Sequence, residues 1–256
     1  MTFTILGSAS GLPSKNRNCS GAVLQYKGRL LLFDCGSGVT RAFLRAGLRL
    51  SDVEYVFISH MHSDHVSDLP YFIQAVKHSG PRGPLTVCLP EEAIAPVSNL
   101  LNACYLFPEK IDFGLTIAAH QDKATLYDDE VIVNAIPNKH LEHEINRNII
   151  AESGYPNLMQ SYSFAIRAGD RSILYTSDLL SFDDIASHVY DLDLLVIETT
   201  HIDLKRLIES IPDRRIGRVV LTHIADEDEK RIKNIVSAYA DSAVLSVAEE
   251  GQAIIP

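Results

Sequence analysis

Hydrophobic positions along this chain follow either the alternation of a strand or the spacing of a helix. Together these two patterns predict regular structure over most of the chain. Runs with the alternation or the β-branched content of strands occur at Thr2–Leu6, Ala22–Tyr26, Arg29–Phe33, Tyr55–Ile58, Leu85–Leu89, Val131–Ile136, Ser161–Ile166, Ser172–Thr176, Leu192–Ile197, Arg218–Thr222, Val244–Val247 and Ala253–Ile255. Helical segments are predicted at Val39–Ala46, Ser67–His78, Glu91–Tyr105, Leu204–Ser210 and Glu227–Ala240. This order predicts an α/β protein in which helices cover the outer faces of sheets.

Composition adds limits to this picture. The chain has 256 residues, of which 46% are hydrophobic and 22% charged, as in ordinary globular proteins. That length favours one large domain over residues 1–256. No apolar run approaches the ~20 residues of a membrane-spanning helix, and the first residues do not resemble a signal peptide. We therefore expect a cytoplasmic protein with no membrane partner.

Charge and cysteine content exclude two further classes of protein. The net charge of -10 argues against a protein that coats nucleic acid, because such binding needs a basic surface. Residues 1–60 differ from the rest, with seven basic and three acidic side chains. The four cysteines form no Cys-x-x-Cys pair, so we expect reduced thiols and no zinc ribbon.

The strongest chemical signal is the loop after the predicted strand Tyr55–Ile58. Within six residues it contains three histidines and one aspartate, namely His60, His62, Asp64 and His65. Side chains two apart on extended backbone point the same way, so His60 and His62 can bind one metal ion. The turn into the next helix directs Asp64 and His65 toward a second position. Imidazole and carboxylate are good ligands for zinc and its neighbours.

Three later residues complete this donor set in the prediction. His140, Asp178 and His223 each follow a predicted strand, and strand ends in α/β proteins collect functional side chains at one rim. We predict two divalent metal ions, one held by His60, His62 and His140 and the other by Asp64, His65 and His223, with Asp178 between them. His143 is an alternative to His140, and Asp178 could instead start a turn. Zinc is the expected metal, while manganese and iron accept the same ligands.

The H-x-H-x-D-H loop with its later His, Asp and His resembles the metallo-β-lactamase superfamily over nearly the whole chain. This resemblance implies a four-layered αβ/βα sandwich and a single metallo-hydrolase domain, with a short insertion at about 141–160. The turn Phe33–Gly36 is similar to the superfamily's early D-x-G turn, which implies a supporting role for Asp34.

Within that superfamily the chain resembles the ribonuclease Z and phosphodiesterase branch. The likeness lies in the opening Leu6–Pro13, in the P-x-K-x-R-N loop Pro13–Asn18 and in the segment Phe43–Leu48. That loop lies near the RNA end in ribonuclease Z, which implies phosphate contacts for Lys15 and Arg17. Two cations in a loop rich in proline and asparagine suit phosphate on chemical grounds as well.

Two departures from ribonuclease Z bear on the substrate. The tRNA-gripping arm would fall between His140 and Asp178, but residues 141–160 are too few and too acidic for it. The family's H-E-A-T segment corresponds here to Ile197–Thr200, so its catalytic histidine is an isoleucine. His201 is a candidate replacement as proton donor, or else it caps a loop. Glu198 is expected to orient a ligand imidazole, with loop capping again as the alternative.

The expected function is a dinuclear metal-dependent phosphodiesterase that acts on an RNA end or a cyclic nucleotide. A metal-bridging hydroxide would attack phosphorus, with Asp64 in the catalytic centre and His201 protonating the leaving oxygen. The insertion is expected to be a lid in which Tyr155 stacks on a base, or else a surface excursion. The alternatives are a thioester or lactone hydrolase of the glyoxalase II type and a non-catalytic metal-binding sensor.

The resemblance also implies a homodimer, since many ribonuclease Z relatives pair through helices near the metal loop. In this chain the predicted helix Ser67–His78 offers a candidate contact face, with Tyr71, Phe72 and Val76 expected to be exposed.

Overall fold

The computed structural model describes residues 1–80, 83–121, 124–126, 130–239 and 244–256. Within these ranges the chain forms two compact units. The first comprises Met1–His120 and Glu249–Ile255, and the second comprises Gln121–Ala248 with Pro256. Each unit contains one seven-stranded mixed sheet with its own helices, which is the α/β class that the sequence predicts.

The sheet of the first unit has the strand order β14-β1-β2-β3-β4-β5-β6. Its strands are β1 Thr2–Gly7, β2 Gly21–Tyr26, β3 Arg29–Phe33, β4 Val53–Phe57, β5 Leu85–Leu89, β6 Leu115–Ala119 and β14 Ala253–Ile254. Its helices are α1 Val39–Arg45, α2 Ser63–Val66, α3 Leu69–Lys77 and α4 Ile94–Ala103. Strands β3 to β6 run parallel, so their carboxyl ends lie at one edge of the sheet.

Helix α3 shows how this unit builds its core. Leu69, Phe72, Ile73 and Val76 follow the helical period and are buried, and the Phe72 ring meets that of Phe43 edge-on at 5.5 Å between centroids. The prediction that Phe72 and Val76 are exposed is therefore wrong. Tyr71 alone of the three predicted contact residues is exposed, because it lies on the opposite side of the helix.

The sheet of the second unit has the strand order β13-β12-β11-β10-β9-β8-β7. Its strands are β7 Ala124–Leu126, β8 Val131–Asn138, β9 Ser161–Ala168, β10 Arg171–Tyr175, β11 Leu192–Glu198, β12 Ile216–Thr222 and β13 Leu245–Val247. Its helices are α5 Glu144–Ser153, α6 Leu204–Ser210 and α7 Glu229–Ala238. Strands β10 to β13 are parallel, and β8 has the same direction as β10 because both are antiparallel to β9. The carboxyl ends of β8, β10, β11 and β12 therefore share one edge.

Most predicted elements are present, with a few corrections. Strands β6 and β7 and helix α5 were not predicted, because their sequences lack a clear period. The helix expected at Ser67–His78 is α3, which begins at Leu69 with Pro70 in its first turn, and the short helix α2 before it was not predicted. The predicted helix end at Ala240 lies outside the described residues. In the described chain no helix is long and apolar enough to cross a bilayer, and all four cysteines are unpaired by disulfides.

His120, at the end of the first unit's β6 segment, is expected to make stability depend on pH. Its Nε2 donates a hydrogen bond to the carbonyl oxygen of Ile58 at 2.8 Å, and burial lowers the pKa of His120 to about 4. The unfolded chain therefore binds a proton below pH ~6.5 that the folded chain does not bind until pH falls further. We predict that the free energy of unfolding drops by about 2 kcal/mol from pH 7.5 to 5.0 through this group.

The measurement is urea unfolding of EDTA-treated wild type and His120→Gln at both pH values. Stability from His120 is fully present above pH ~6.5 and is lost as the pH falls toward 4. The variant should therefore lose about 2 kcal/mol less than wild type on acidification. An equal loss in both proteins would contradict the prediction.

Candidate functional site

In the first unit, the ends of β3 and β4 are joined by the carboxylate of Asp34. This residue directly follows β3, is completely buried, and accepts a hydrogen bond from the backbone N–H of Ser59 at 2.8 Å. Its other oxygen lies 2.9 Å from Nδ1 of His65. Because a carboxylate only accepts, Nδ1 of His65 carries the proton and Nε2 keeps its lone pair. Asp34 thus contacts both the start of the histidine loop and the ring of His65.

The loop after β4 brings its four predicted donors close together. The ring of His60 lies 4.7 Å from that of His62 and 4.2 Å from that of His65, measured between centroids. Nε2 of His65 is 3.4 Å from an oxygen of Asp64. His60, Asp64 and His65 are buried, whereas His62 is exposed. This loop therefore gathers donor atoms at the carboxyl edge of the sheet.

In the second unit, Asp178 lies between two imidazoles. Its Oδ2 is 3.6 Å from Nε2 of His140 and 3.3 Å from Nε2 of His223, and all three side chains are buried. They follow β10, β8 and β12, whose carboxyl ends share one edge. The alternative residue, His143, is exposed and lies directly before helix α5. Of the two histidines, His140 is the one that lies against Asp178.

The tautomers of these histidines suit metal binding. Nδ1 of His140 lies 3.4 Å from the carbonyl oxygen of Leu179, which can only accept a hydrogen bond. Nδ1 of His223 lies 3.2 Å from Oγ1 of Thr200, whose own proton is donated to the carbonyl oxygen of His223. Nδ1 therefore carries the proton in both rings, and the Nε2 lone pairs face a carboxylate oxygen. A divalent cation relieves the repulsion between such groups, and imidazole with carboxylate is a fitting donor set for it.

Three residues, one in the first unit and two in the second, adopt left-handed backbone conformations although they have side chains. Asp34, Ser177 and His223 have φ values of 59°, 51° and 54°. Such conformations are unfavourable by about 1–2 kcal/mol for most residues with a side chain. All three follow a strand end next to or at a candidate donor. In each unit the backbone is thus held in an uncommon geometry beside candidate donor side chains.

Glu198 and His201 form a second arrangement at the end of β11. The buried carboxylate of Glu198 accepts hydrogen bonds from the backbone N–H groups of Thr200 and His201, and it lies 3.4 Å from Nδ1 of His201. The His201 ring is 5.0 Å from that of His140 and 5.8 Å from that of His223, between centroids. Glu198 therefore shapes the loop that carries Thr200 and His201, and His201 lies beside two candidate ligands.

Two supporting residues were missed from the sequence. Thr200 fixes His223, as described above. Asn138 is buried, donates to the carbonyl oxygen of Asp178 at 3.0 Å and accepts from the backbone N–H of His140 at 3.1 Å. It therefore ties the two ligand loops of the second unit together. Its position two residues before His140 was the available signal, but only the fold shows that it reaches Asp178.

The predicted phosphate contacts Lys15 and Arg17 line a cavity of about 580 Å³ in the first unit, and Asp64 lines the same cavity. Arg17 donates to Oγ of Ser8 at 2.8 Å. Tyr155 is exposed and follows Gly154, the left-handed residue that ends α5. The two predicted phosphate contacts and one predicted metal ligand therefore line the same cavity.

Comparison with solved structures shows the fold of this protein. The human tRNase Z, short form, has a TM-score of 0.75 at 20% identity and covers 100% of this chain and 99% of its own. A metallo-β-lactamase fold protein from Bacillus subtilis has a TM-score of 0.74 at 20% identity, with 99% of both chains covered. The chain therefore has the metallo-β-lactamase fold, which confirms the predicted fold class.

Sequence comparison identifies the family. The family model described as Anti-Pycsar protein Apyc1 matches residues 1–240, and the chain belongs to this family. A curated ribonuclease Z of Prochlorococcus marinus (strain NATL1A) is 34% identical over 148 residues, 55% of this chain and 46% of that protein. The match thus spans about half the length of this curated relative. The predicted resemblance to the ribonuclease Z-like branch of the superfamily is confirmed.

Gly36, the last residue of the D-x-G turn, is expected to be required for the position of the histidine loop. A β-carbon at Gly36 would lie 1.9 Å from the carbonyl oxygen of Asp64, which belongs to the backbone and cannot move aside alone. We predict that Gly36→Ala lowers the free energy of unfolding by at least about 1–3 kcal/mol, the usual effect of overpacking, and weakens metal binding. Thermal unfolding and metal titration measure the two effects.

Gly83→Ala is the matched control, because nothing lies within 4 Å of a β-carbon built there. It should unfold and bind metal like the wild type. A Gly36→Ala protein with the stability and metal affinity of the Gly83→Ala protein would refute the prediction.

Proposed function

We propose that this chain is a metal-dependent hydrolase that cleaves phosphodiesters. The observation that carries this proposal is the orientation of His65, His140 and His223. Each ring has its Nδ1 held by a protein oxygen, and each directs Nε2 at the carboxylate of Asp64 or Asp178. The likeness to ribonuclease Z supports phosphodiesters as the substrate class.

In this proposal residues 1–256 form one metallo-hydrolase domain that binds two divalent ions. His60, His62 and His140 would hold one ion and Asp64, His65 and His223 the other, with Asp178 shared. Zinc is the proposed metal, with manganese and iron as alternatives. When bound, the ions supply a water of lowered pKa and neutralise charge on the phosphate.

The remaining roles belong to side chains of the protein itself. Lys15 and Arg17 would bind the phosphate that is cleaved, because both are cationic and line the cavity that Asp64 lines. His201 would donate a proton to the leaving oxygen, and Glu198, at 3.4 Å from its Nδ1, would orient the ring. The substrate would be a small phosphodiester, either an RNA end or a cyclic nucleotide.

We further propose that the chain is cytoplasmic and forms a homodimer. Four thiols without a disulfide are typical of proteins from a reducing compartment. Pairing follows from the likeness to ribonuclease Z relatives, and Tyr71 is the exposed aromatic residue of helix α3. Analytical ultracentrifugation at micromolar concentration should show twice the 28.3 kDa mass of the chain. A single species at 28.3 kDa would reject the dimer.

Removing either carboxylate should abolish phosphodiester hydrolysis. Asp64→Ala and Asp178→Ala each delete a donor that faces imidazole nitrogens, so metal content should fall from two ions per chain. We expect kcat/KM on bis(p-nitrophenyl) phosphate to drop below a tenth of wild type, a loss above ~1.4 kcal/mol in transition-state binding. Steady-state kinetics and elemental analysis are the measurements.

Asp170→Ala is the control, since this carboxylate is exposed on the turn before β10, at the opposite end of that strand from Asp178. It should keep wild-type kinetics and metal content. EDTA should stop turnover and added metal should restore it, whereas a non-catalytic sensor would show no turnover at all. Faster hydrolysis of S-lactoylglutathione than of any phosphodiester would favour the thioester hydrolase instead.

Residues 141–160 are proposed to act as a lid that contacts larger substrates through Tyr155. Helix α5 within this segment has no buried residue, so its removal leaves the core intact. Replacing residues 144–157 by a short glycine linker should lower kcat/KM for nucleotide substrates more than for bis(p-nitrophenyl) phosphate, while metal content stays unchanged. Equal kinetics of the deletion and the wild type on every substrate would identify the segment as a surface excursion.

A further inference from the structure

Asp184 is a half-buried carboxylate of the second unit that lies beside two candidate ligand loops. It ends the short 3₁₀ helix Phe182–Asp184, and Ser181 caps the start of that helix. One oxygen of Asp184 accepts hydrogen bonds from three backbone N–H groups, those of Leu180 at 2.9 Å, Lys139 at 3.3 Å and Ser181 at 3.4 Å. The bond from Ser181, which is the one that helix capping requires, is the longest of the three. Capping therefore does not account for the position of this carboxylate.

The other two hydrogen bonds connect Asp184 to the loops that carry His140 and Asp178. Lys139 directly precedes His140, and Leu180 lies two residues after Asp178. The loops after β8 and β10 are already joined through a buried asparagine amide, as described above. Asp184 is thus a second link between the same two loops.

The peptide group between Leu179 and Leu180 connects Asp184 to the ring of His140. Its N–H donates to Asp184 at 2.9 Å, and its carbonyl oxygen lies 3.4 Å from Nδ1 of His140, whose proton it accepts. A trans peptide group is planar, and its N–H and C=O point in opposite directions. Because a partner that fixes the N–H also fixes the carbonyl, the tautomer of His140 depends on Asp184.

The segment that carries Asp184 is firmly packed against its own unit. The side chains of Phe182 and Ile185 are buried. The guanidinium group of Arg214 donates to the carbonyl oxygen of Ala186 at 2.7 Å and lies 5.0 Å from the centre of the Phe182 ring. A carboxylate supported in this way keeps its place without help from a bound ion, as a group that orients ligands must.

We infer that Asp184 is a positioning residue that acts on metal binding through the Leu179–Leu180 peptide group and His140. This inference rests on the proposed metal-dependent function and names a residue on which the proposed ligand set depends. The carboxylate holds the peptide group, and the carbonyl of that group holds the Nδ1 proton of His140. The Nε2 lone pair is thereby directed toward Asp178, 3.6 Å away. The arrangement extends the common carboxylate–histidine contact of metal sites by one peptide group.

The test compares Asp184→Ala and Asp184→Asn with the control Asp183→Ala. Asp183 lies on the same turn and has the same charge, but it is exposed and pairs with Arg206 at 2.6 Å. Isothermal titration calorimetry of EDTA-treated protein with Mn²⁺ measures the metal affinity. For the ion that His140 binds, we expect the Kd to rise about tenfold or more in Asp184→Ala, the usual effect of losing a group that supports a ligand.

The conservative variant separates geometry from charge. Asp184→Asn removes the charge but keeps an oxygen that accepts the same hydrogen bonds, so its Kd should stay within about threefold of wild type. The control should do the same, because it loses only an exposed ion pair. Asp184→Ser, whose oxygen lies one bond closer to the main chain, replaces Asp184→Ala if circular dichroism shows misfolding.

A measurement without metal distinguishes this inference from the proposed function. Long-range ¹H–¹⁵N NMR of EDTA-treated protein at about pH 8, where an ordinary histidine is neutral, reports which ring nitrogen of His140 carries the proton. The signal is assigned through His140→Gln. Wild type, Asp184→Asn and the control should carry the proton on Nδ1, whereas Asp184→Ala should show a mixture of both tautomers.

Two results would overturn the inference. If Asp184→Ala has a lower Tm but the Kd and tautomer of wild type, the residue serves stability alone. If Asp184→Asn loses as much metal affinity as Asp184→Ala, the effect belongs to the negative charge and not to the peptide group. A wild type that binds no Mn²⁺ would reject the proposed metal-dependent function, and the NMR result would still decide whether Asp184 fixes the ring of His140.

Discussion

The buried carboxylate of Asp34 is the interaction on which the histidine loop of the first unit depends. A carboxylate without partners in a protein interior is unfavourable by several kcal/mol, so its position is stable only where donors meet it. Asp34 meets the backbone N–H of Ser59 at 2.8 Å and Nδ1 of His65 at 2.9 Å. One side chain after β3 thereby fixes both the start of the loop after β4 and the tautomer of a donor at its end.

In the second unit, neutral groups instead of a carboxylate fix the candidate ligand imidazoles. The carbonyl oxygen of Leu179 and the hydroxyl of Thr200 hold Nδ1 of His140 and His223, and Asn138 links the loops that carry His140 and Asp178. Donors held in this way do not have to reorganise when a cation arrives, which favours tight binding. Ser177 and His223 have a left-handed backbone, which is locally strained. The surrounding hydrogen bonds compensate this strain and keep the donors in place.

Charge is distributed so that one part of the molecule attracts anions. The chain is acidic as a whole, yet Lys15, Arg17, Arg41 and Arg45 surround a single cavity, while Glu250 holds the loop through hydrogen bonds. A basic wall around a concave site raises the local concentration of anionic ligands. The same cavity is lined by Asp64, so the four cations share a unit with one of the proposed metal ligands.

Local patterns in the sequence determined much of this protein. The apolar runs located most strands and the helix Leu204–Ser210, and the H-x-H-x-D-H spacing singled out the donor loop and the fold class. Tertiary structure decided what no local pattern contains. Phe72 and Val76 are buried because α3 turns that face toward Phe43, and His140 rather than His143 meets Asp178 because β8 and β10 end at the same edge. The helical period shows which residues share a face, but it does not show which neighbour covers that face. Pairing between strands that are distant in sequence depends on the whole sheet.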